Sequence, residues 1–110
     1  MKYFRTNSEL NGTCYHEFQK GKWDGVTFWK NDSLYLHDDI LYSLKIGELF
    51  LSVIPAYDEF GETEINELQW NEICNTAASI GSELKAVIDE ADVWARETFK
   101  TYSIFTILGI

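Results

Sequence analysis

The sequence predicts an α+β domain: N-terminal antiparallel strands, a short middle helix, one long C-terminal helix packed on the sheet, and a final buried strand. Three observations carry this. The first third is rich in aromatic and β-branched residues and is broken by turn signals at Asn11-Gly12, Lys20-Gly21-Lys22 and Asn31-Asp32-Ser33. Between Trp70 and Trp94, apolar residues recur at alternating spacings of three and four. The last segment, Ile104 to Ile110, is almost wholly apolar, as strands buried on both faces are.

Taken in order, Lys2 to Thr6 reads as a short first strand. Asn11-Gly12 is a hairpin-type turn, since both residues tolerate positive φ. Thr13 to Gln19 follows as a strand, and Gly25 to Trp29 reads as a third. Tyr15 and Phe18 fall on opposite faces, as do Phe28 and Trp29. Either both faces of the sheet are partly covered, or one holds exposed aromatics for a partner. Asp38-Asp39, just before Ile40, Leu41 and Leu44, marks the start of a short helix, where the macrodipole favours acids. Phe50 to Ile54 reads as strand or as the end of that helix, and Pro55 ends it. Ala56 to Thr63, with Gly61 and three acids, reads as a surface loop.

From Leu68 to Phe99 the residues Trp70, Ile73, Ala77, Ile80, Leu84, Val87, Ala91 and Trp94 form one apolar stripe. Its phase does not slip across Gly81. The pattern therefore favours one long helix, bent at most at that glycine, over two. A helix of about 30 residues is roughly 45 Å long. That exceeds the width of a compact domain of this size, so one end projects or the helix curves. The final strand then returns to the sheet beside an earlier one.

With 110 residues the chain is one domain, large enough for a core without a metal or disulfide staple. An apolar content of 45% excludes a disordered acidic tail, despite a net charge of −9. The opening Met1-Lys2-Tyr3-Phe4-Arg5 lacks the apolar stretch of a secretory signal, and no apolar run is long enough to span a membrane. Cys14 and Cys74 are too few for a disulfide framework and read as reduced thiols of a cytoplasmic protein.

Charge is the most informative feature. From Ile46 to Leu84 the carboxylates of Glu48, Asp58, Glu59, Glu62, Glu64, Glu67, Glu72 and Glu83 stand without one Lys or Arg. A stable surface would normally mix signs, because like charges cost free energy. A field concentrated this way raises the on-rate of a cationic partner. It repels nucleic acid phosphate and anionic lipid, so neither is expected as a partner.

Candidate chemistry is sparse. Cys14 and His16 share one face of a strand, but no second pair has ligand spacing, so neither a metal nor another cofactor is expected. Cys74 sits on the apolar stripe and reads as a small buried hydrophobe. Cys14 has no electropositive neighbourhood to activate it. The carboxylate pairs Asp38-Asp39, Asp58-Glu59, Glu62/Glu64 and Asp89-Glu90 have, His37 before Asp38 aside, no His or Lys directly beside them, and adjacent residues on a helix point apart. No phosphate loop or basic patch is present. A chain without enzymatic activity is the expectation. Trp70 and Trp94 read as core, whereas Trp23 and Trp29 flank a hairpin strand and are candidates for an exposed contact.

The local pattern Glu64-Ile65, Trp70, Ile73, then Glu90, Trp94-Ala95 and Phe105-Thr-Ile-Leu-Gly109 resembles the immunity proteins encoded beside bacterial polymorphic toxins, such as those of contact-dependent growth inhibition or LXG-toxin systems. The resemblance covers roughly the C-terminal half. It implies a neutralising protein that blocks a cognate basic toxin domain, often a nuclease, and it carries no residue-level site.

The binding surface is expected at Asp38, Asp39, Asp58, Glu59, Glu62, Glu64 and Glu67, in or beside loops, where recognition groups stand. Trp23 and Trp29 are the aromatic alternative. The free chain is expected to be a monomer or weak dimer. Competing expectations are an adaptor or subunit whose long helix is an interface seam, and a small-ligand or enzyme domain with an aromatic pocket.

Overall fold

The computed structural model describes residues 1–109; Ile110, the end of the expected final strand, lies outside them. The elements in chain order are β1 (Phe4–Arg5), a single 3-10 turn (Asn7–Glu9), β2 (Tyr15–Lys20), β3 (Leu34–His37), α1 (Asp38–Ser43), α2 (Ile46–Val53), β4 (Glu62–Asn66), α3 (Glu67–Ile80), α4 (Ser82–Phe99) and β5 (Ile104–Leu108). The strands form one antiparallel sheet in the order β1-β3-β2-β5-β4. The chain is therefore α+β, with antiparallel strands leading, a long C-terminal helix (α4) and a buried last strand between β2 and β4.

Register aligns Phe18 with Leu34 on one side and Ile107 on the other, and Phe105 with Ile65. Residues paired this way share a face. That face meets all four helices, and its centre is an aromatic cluster. Phe18 stacks on Phe105 at 5.7 Å between ring centroids, and Trp70 and Trp94 meet Phe105 edge-on at 5.4 and 5.3 Å. Ile73, Ala77, Val87, Ile88, Ala91 and Ala95 close the core from α3 and α4.

The opposite face carries Tyr15, Glu17, Gln19, Tyr35 and Thr106, all buried. The connection between β2 and β3 folds over it, so both faces are covered at the centre of the sheet, while the β4 edge of this second face stays exposed. Glu17 anchors that connection. Its carboxylate accepts from the Trp29 and Lys30 amides at 2.8 and 2.9 Å and from the Ser33 hydroxyl at 2.7 Å.

Several expected elements are corrected. Gly25 to Trp29 is not a strand. Gly25 and Trp29 both have positive φ (88° and 61°), and the Asp24 carboxylate accepts from the amides of Val26 and Thr27, which closes a turn. The third strand is instead Leu34–His37. Asn11-Gly12 does turn, with Gly12 at φ 85°, but the strands flanking it do not pair; β1 pairs with β3.

The middle holds two helices, not one. Lys45 adopts a left-handed conformation (φ 56°, ψ 38°) between α1 and α2, and Phe50 belongs to α2. Part of the expected loop is strand: in β4, Thr63 and Ile65 point into the core while Glu62, Glu64 and Asn66 point out.

The expected continuity from Leu68 to Phe99 is also corrected. A single helix of that span would be roughly 48 Å long, and the longest extent of the molecule is 35 Å. The chain instead reverses at Gly81, whose backbone is extended, and α3 and α4 form an antiparallel hairpin. Trp70 Nε1 donates to Asp92 Oδ1 at 2.8 Å, and Arg96 bridges Asp92 and Glu67. Of the stripe, Ile73 and Val87 are buried and Leu84 half-buried, while Ile80 at the corner is 59% exposed. The stripe is thus largely spent inside the molecule. No helix among the described residues is long and apolar enough to cross a membrane.

Candidate functional site

Two short helices and one loop make the site. His37 at the end of β3 caps α1 by accepting the Asp39 amide on its Nδ1 at 3.0 Å. That fixes Asp38 in the first turn, directly above β2. There its Oδ1 lies 2.9 Å from Nδ1 of His16, a histidine only 1% exposed. The other ring nitrogen, Nε2, lies 2.9 Å from the Tyr57 hydroxyl. A carboxylate only accepts, so in the neutral ring Nδ1 carries the hydrogen, Nε2 accepts, and Tyr57 donates. Asp38, His16 and Tyr57 form one hydrogen-bonded chain running from α1 through the sheet to the loop after Pro55.

Tyr57 emerges from this chain into a groove of about 340 Å³, lined by Leu41, Tyr42, Gly47, Glu48, Leu51 and Glu59 as well. Gly47 forms part of its floor: a β-carbon there would make ordinary contact with the Tyr57 ring at 3.6 Å, and a larger side chain would enter the groove. Glu59 is held from below. The Gly109 amide donates to the Gly61 carbonyl at 2.9 Å, and the Gly109 α-carbon lies so close to the Glu59 carbonyl that a β-carbon would overlap it.

Burial pushes the Tyr57 hydroxyl far above the ordinary tyrosine value, and the charge of Glu59, the Tyr42 hydroxyl and the charges of Asp38 and Asp58 add to this. Tyr42 is raised too, by burial and then by the Glu59 and Asp38 carboxylates. Both hydroxyls stay protonated and serve as hydrogen-bonding groups rather than nucleophiles. Among the described residues no ion pair engages Glu48, Asp58 or Glu59.

The expected surface divides. Glu59 lines the groove; Asp38 and Asp58 do not line it but stand close enough to add to the rise of the Tyr57 hydroxyl, and Asp38 is already committed to His16. Asp39 is exposed beside His37. Glu62 and Glu64 project from β4 toward the other face of the sheet and share a shallow depression with Lys22. Glu67 is engaged by Arg96 at 3.4 Å. Trp23 and Trp29 lie far from this groove in the packed β2–β3 connection. Trp23 rests on Phe28 and Trp29 stacks on Tyr35, each half-buried.

Cys14 is exposed, just before the strand, whereas His16 is buried, so the two do not converge. Among the described residues no group of three His, Cys, Asp or Glu is placed to hold a metal ion. Burial, helped by Asp92, pushes the Cys74 thiol up to about 11.

Sequence reasoning missed Tyr42, Gly47 and Tyr57, and counted Glu48 only as one acid of eight. The signal that was present is local: tyrosines standing beside carboxylates in Tyr57-Asp58-Glu59 and four residues after Asp38. Comparison with known proteins finds no matching family model, no matching curated protein and no matching solved structure.

Proposed function

We propose that this chain is a cytoplasmic, non-catalytic binding protein that neutralises a cationic protein through its acidic groove, as the immunity proteins it resembles neutralise a basic toxin. One observation carries the reading. Glu48 and Glu59 line a groove, with Asp58 beside Tyr57, and none of the three is in an ion pair among the described residues; they stand in a stretch of 39 residues, Ile46 to Leu84, that holds no Lys or Arg. Unpaired like charges destabilise the chain that carries them, and a cationic partner relieves that cost. Against a basic nuclease, these carboxylates would stand where substrate phosphates lie. The apolar stripe is largely buried in the core, which leaves it little capacity as an interface seam.

The test is association kinetics with the protein encoded by the neighbouring reading frame, at low and high salt. Association is expected to fall steeply as salt screens exposed charge. The Glu48→Lys/Glu59→Lys variant should associate far more slowly while keeping its circular dichroism spectrum. Salt-insensitive association, with affinity unchanged in that variant, would place the contact elsewhere.

A further inference from the structure

Both charged groups that line this groove are acceptors. Glu48 and Glu59 are carboxylates, which donate nothing. Tyr57 is a potential donor, but with the His16 ring neutral its hydrogen goes to His16 Nε2, and its oxygen then presents lone pairs. Tyr42 sets its hydroxyl near the Glu59 carboxylate at the rim of the groove. The remaining walls are tyrosine ring and leucine: Leu41 is buried behind them, and Leu51 is half exposed at the edge.

A groove with two carboxylates between aromatic and aliphatic walls selects a ligand that donates, is positively charged, and has flat and apolar parts. Arginine has all of these. Its guanidinium offers five donors in one plane, is weakly hydrated and stacks on aromatic faces, and its stem packs on apolar surface. Lysine offers a compact, strongly hydrated charge that leaves the ring faces unused. We infer that the groove between α1, α2 and the Tyr57–Glu59 loop is a receptor for one arginine side chain of the cationic partner. The inference rests on the functional reading above and sharpens it: a diffuse acidic field attracts any cation, whereas this groove discriminates between cations of equal charge. The Asp38–His16–Tyr57 chain is the positioning device, because it holds the Tyr57 ring at the wall of the groove.

The test uses small probes, so it does not depend on knowing the partner. Isotope-labelled protein is titrated at low salt with butylguanidinium, butylammonium and neutral butylurea, and amide shifts are followed by NMR. Butylguanidinium should shift Gly47, Glu48, Tyr57 and Glu59 and saturate, and butylurea should not. Butylammonium should bind more weakly. The Glu48→Gln/Glu59→Gln variant should lose about tenfold or more in butylguanidinium affinity, as charge-assisted hydrogen bonds are lost. Gly47→Leu, which fills the groove without altering charge, should lose as much; an unchanged spectrum elsewhere shows that it folds.

Two results would overturn the inference. One is equal or tighter binding of butylammonium. The other is butylguanidinium shifts spread evenly over Glu62, Glu64 and the remaining exposed acids. Either would leave the cationic-partner reading standing, because that reading falls only on salt-insensitive association with the neighbour-encoded protein.

Discussion

Among the described residues Glu17 has no basic partner, yet its carboxylate is fully buried. Donors replace the missing cation: the Trp29 and Lys30 amides and the Ser33 hydroxyl. The left-handed backbone of Trp29 is part of the loop that delivers the amides. Glu17→Gln replaces one acceptor oxygen by a donor facing donors, so it should cost about 1–3 kcal/mol. Denaturant unfolding measures this, and amide exchange at Trp29 and Lys30 should quicken in the variant. No loss of stability would mean that the β2–β3 connection is held by its aromatic stacking alone.

Glu90 works the same way from α4, accepting the amides of Lys2, Tyr3 and Phe4 at 2.8, 2.9 and 3.0 Å and pinning β1. Burial pushes its carboxyl up, but the Phe4, Tyr3 and Lys2 amides together outweigh burial and hold it below its ordinary 4.5. A carboxyl lowered in the folded state contributes stability that is whole above its unfolded value and is lost as pH falls through the folded one. Stability should therefore decline below about pH 4.5, and Glu90→Gln should lose stability at neutral pH and show a flatter acid limb. Thermal melts between pH 3 and pH 7 read both effects. An unchanged acid limb would assign the decline to other carboxylates.

At the scale of elements, two glycines that look alike in sequence differ in what the backbone asks of them. Gly21 ends β2 at φ 73°, and a β-carbon there would meet the Tyr102 ring at 2.7 Å. Gly81 turns α3 into α4 with an extended backbone and open space around it. Gly21→Ala should cost about 1–2 kcal/mol from left-handed backbone alone, with the displaced ring adding to it. Gly81→Ala should stay within about 1 kcal/mol of wild type, since it meets neither strain nor a clash. Equal losses in chemical denaturation would mean that the hairpin corner needs glycine.

The same contrast shows which elements were legible. Asp38-Asp39 announced α1 because acids at a helix start have an electrostatic reason. The Trp70–Trp94 stripe announced helix because a 3.6-residue period is hard to produce otherwise. It could not announce the reversal at Gly81, because the two halves of the hairpin keep the same phase. β4 was hidden because Glu62 and Glu64 occupy its outward positions, leaving only Thr63 and Ile65 to signal a strand. The break at Lys45 carried no glycine to mark it. The candidate site was legible as an acidic stretch and not as a groove. Tyr42, Glu48, Tyr57 and Glu59 meet only through the packing of α1 and α2 beside the Tyr57–Glu59 loop, and no spacing along the chain encodes that meeting.

For the whole molecule, the net charge of −9 poses a choice between two explanations of the same acids. If Glu48, Glu59, Glu62 and Glu64 served the fold, removing their charge would weaken it. None of the four is in an ion pair among the described residues, and three of them stand within six positions of one another. Their mutual repulsion opposes the compact state. Residues kept for binding at a cost in stability behave in the opposite way to structural ones when they are neutralised. The variant Glu48→Gln/Glu59→Gln/Glu62→Gln/Glu64→Gln should therefore be more stable than wild type, by about 0.5–2 kcal/mol at low salt. Added salt should stabilise the wild type and close most of that gap, since screening acts on exposed charges over about 10 Å at 0.1 M. Paired melts of the two proteins across a salt series make the measurement. A variant less stable than wild type at every salt concentration would show that these carboxylates serve the fold, and the acidic groove would then lose its strongest reason for being read as a binding surface.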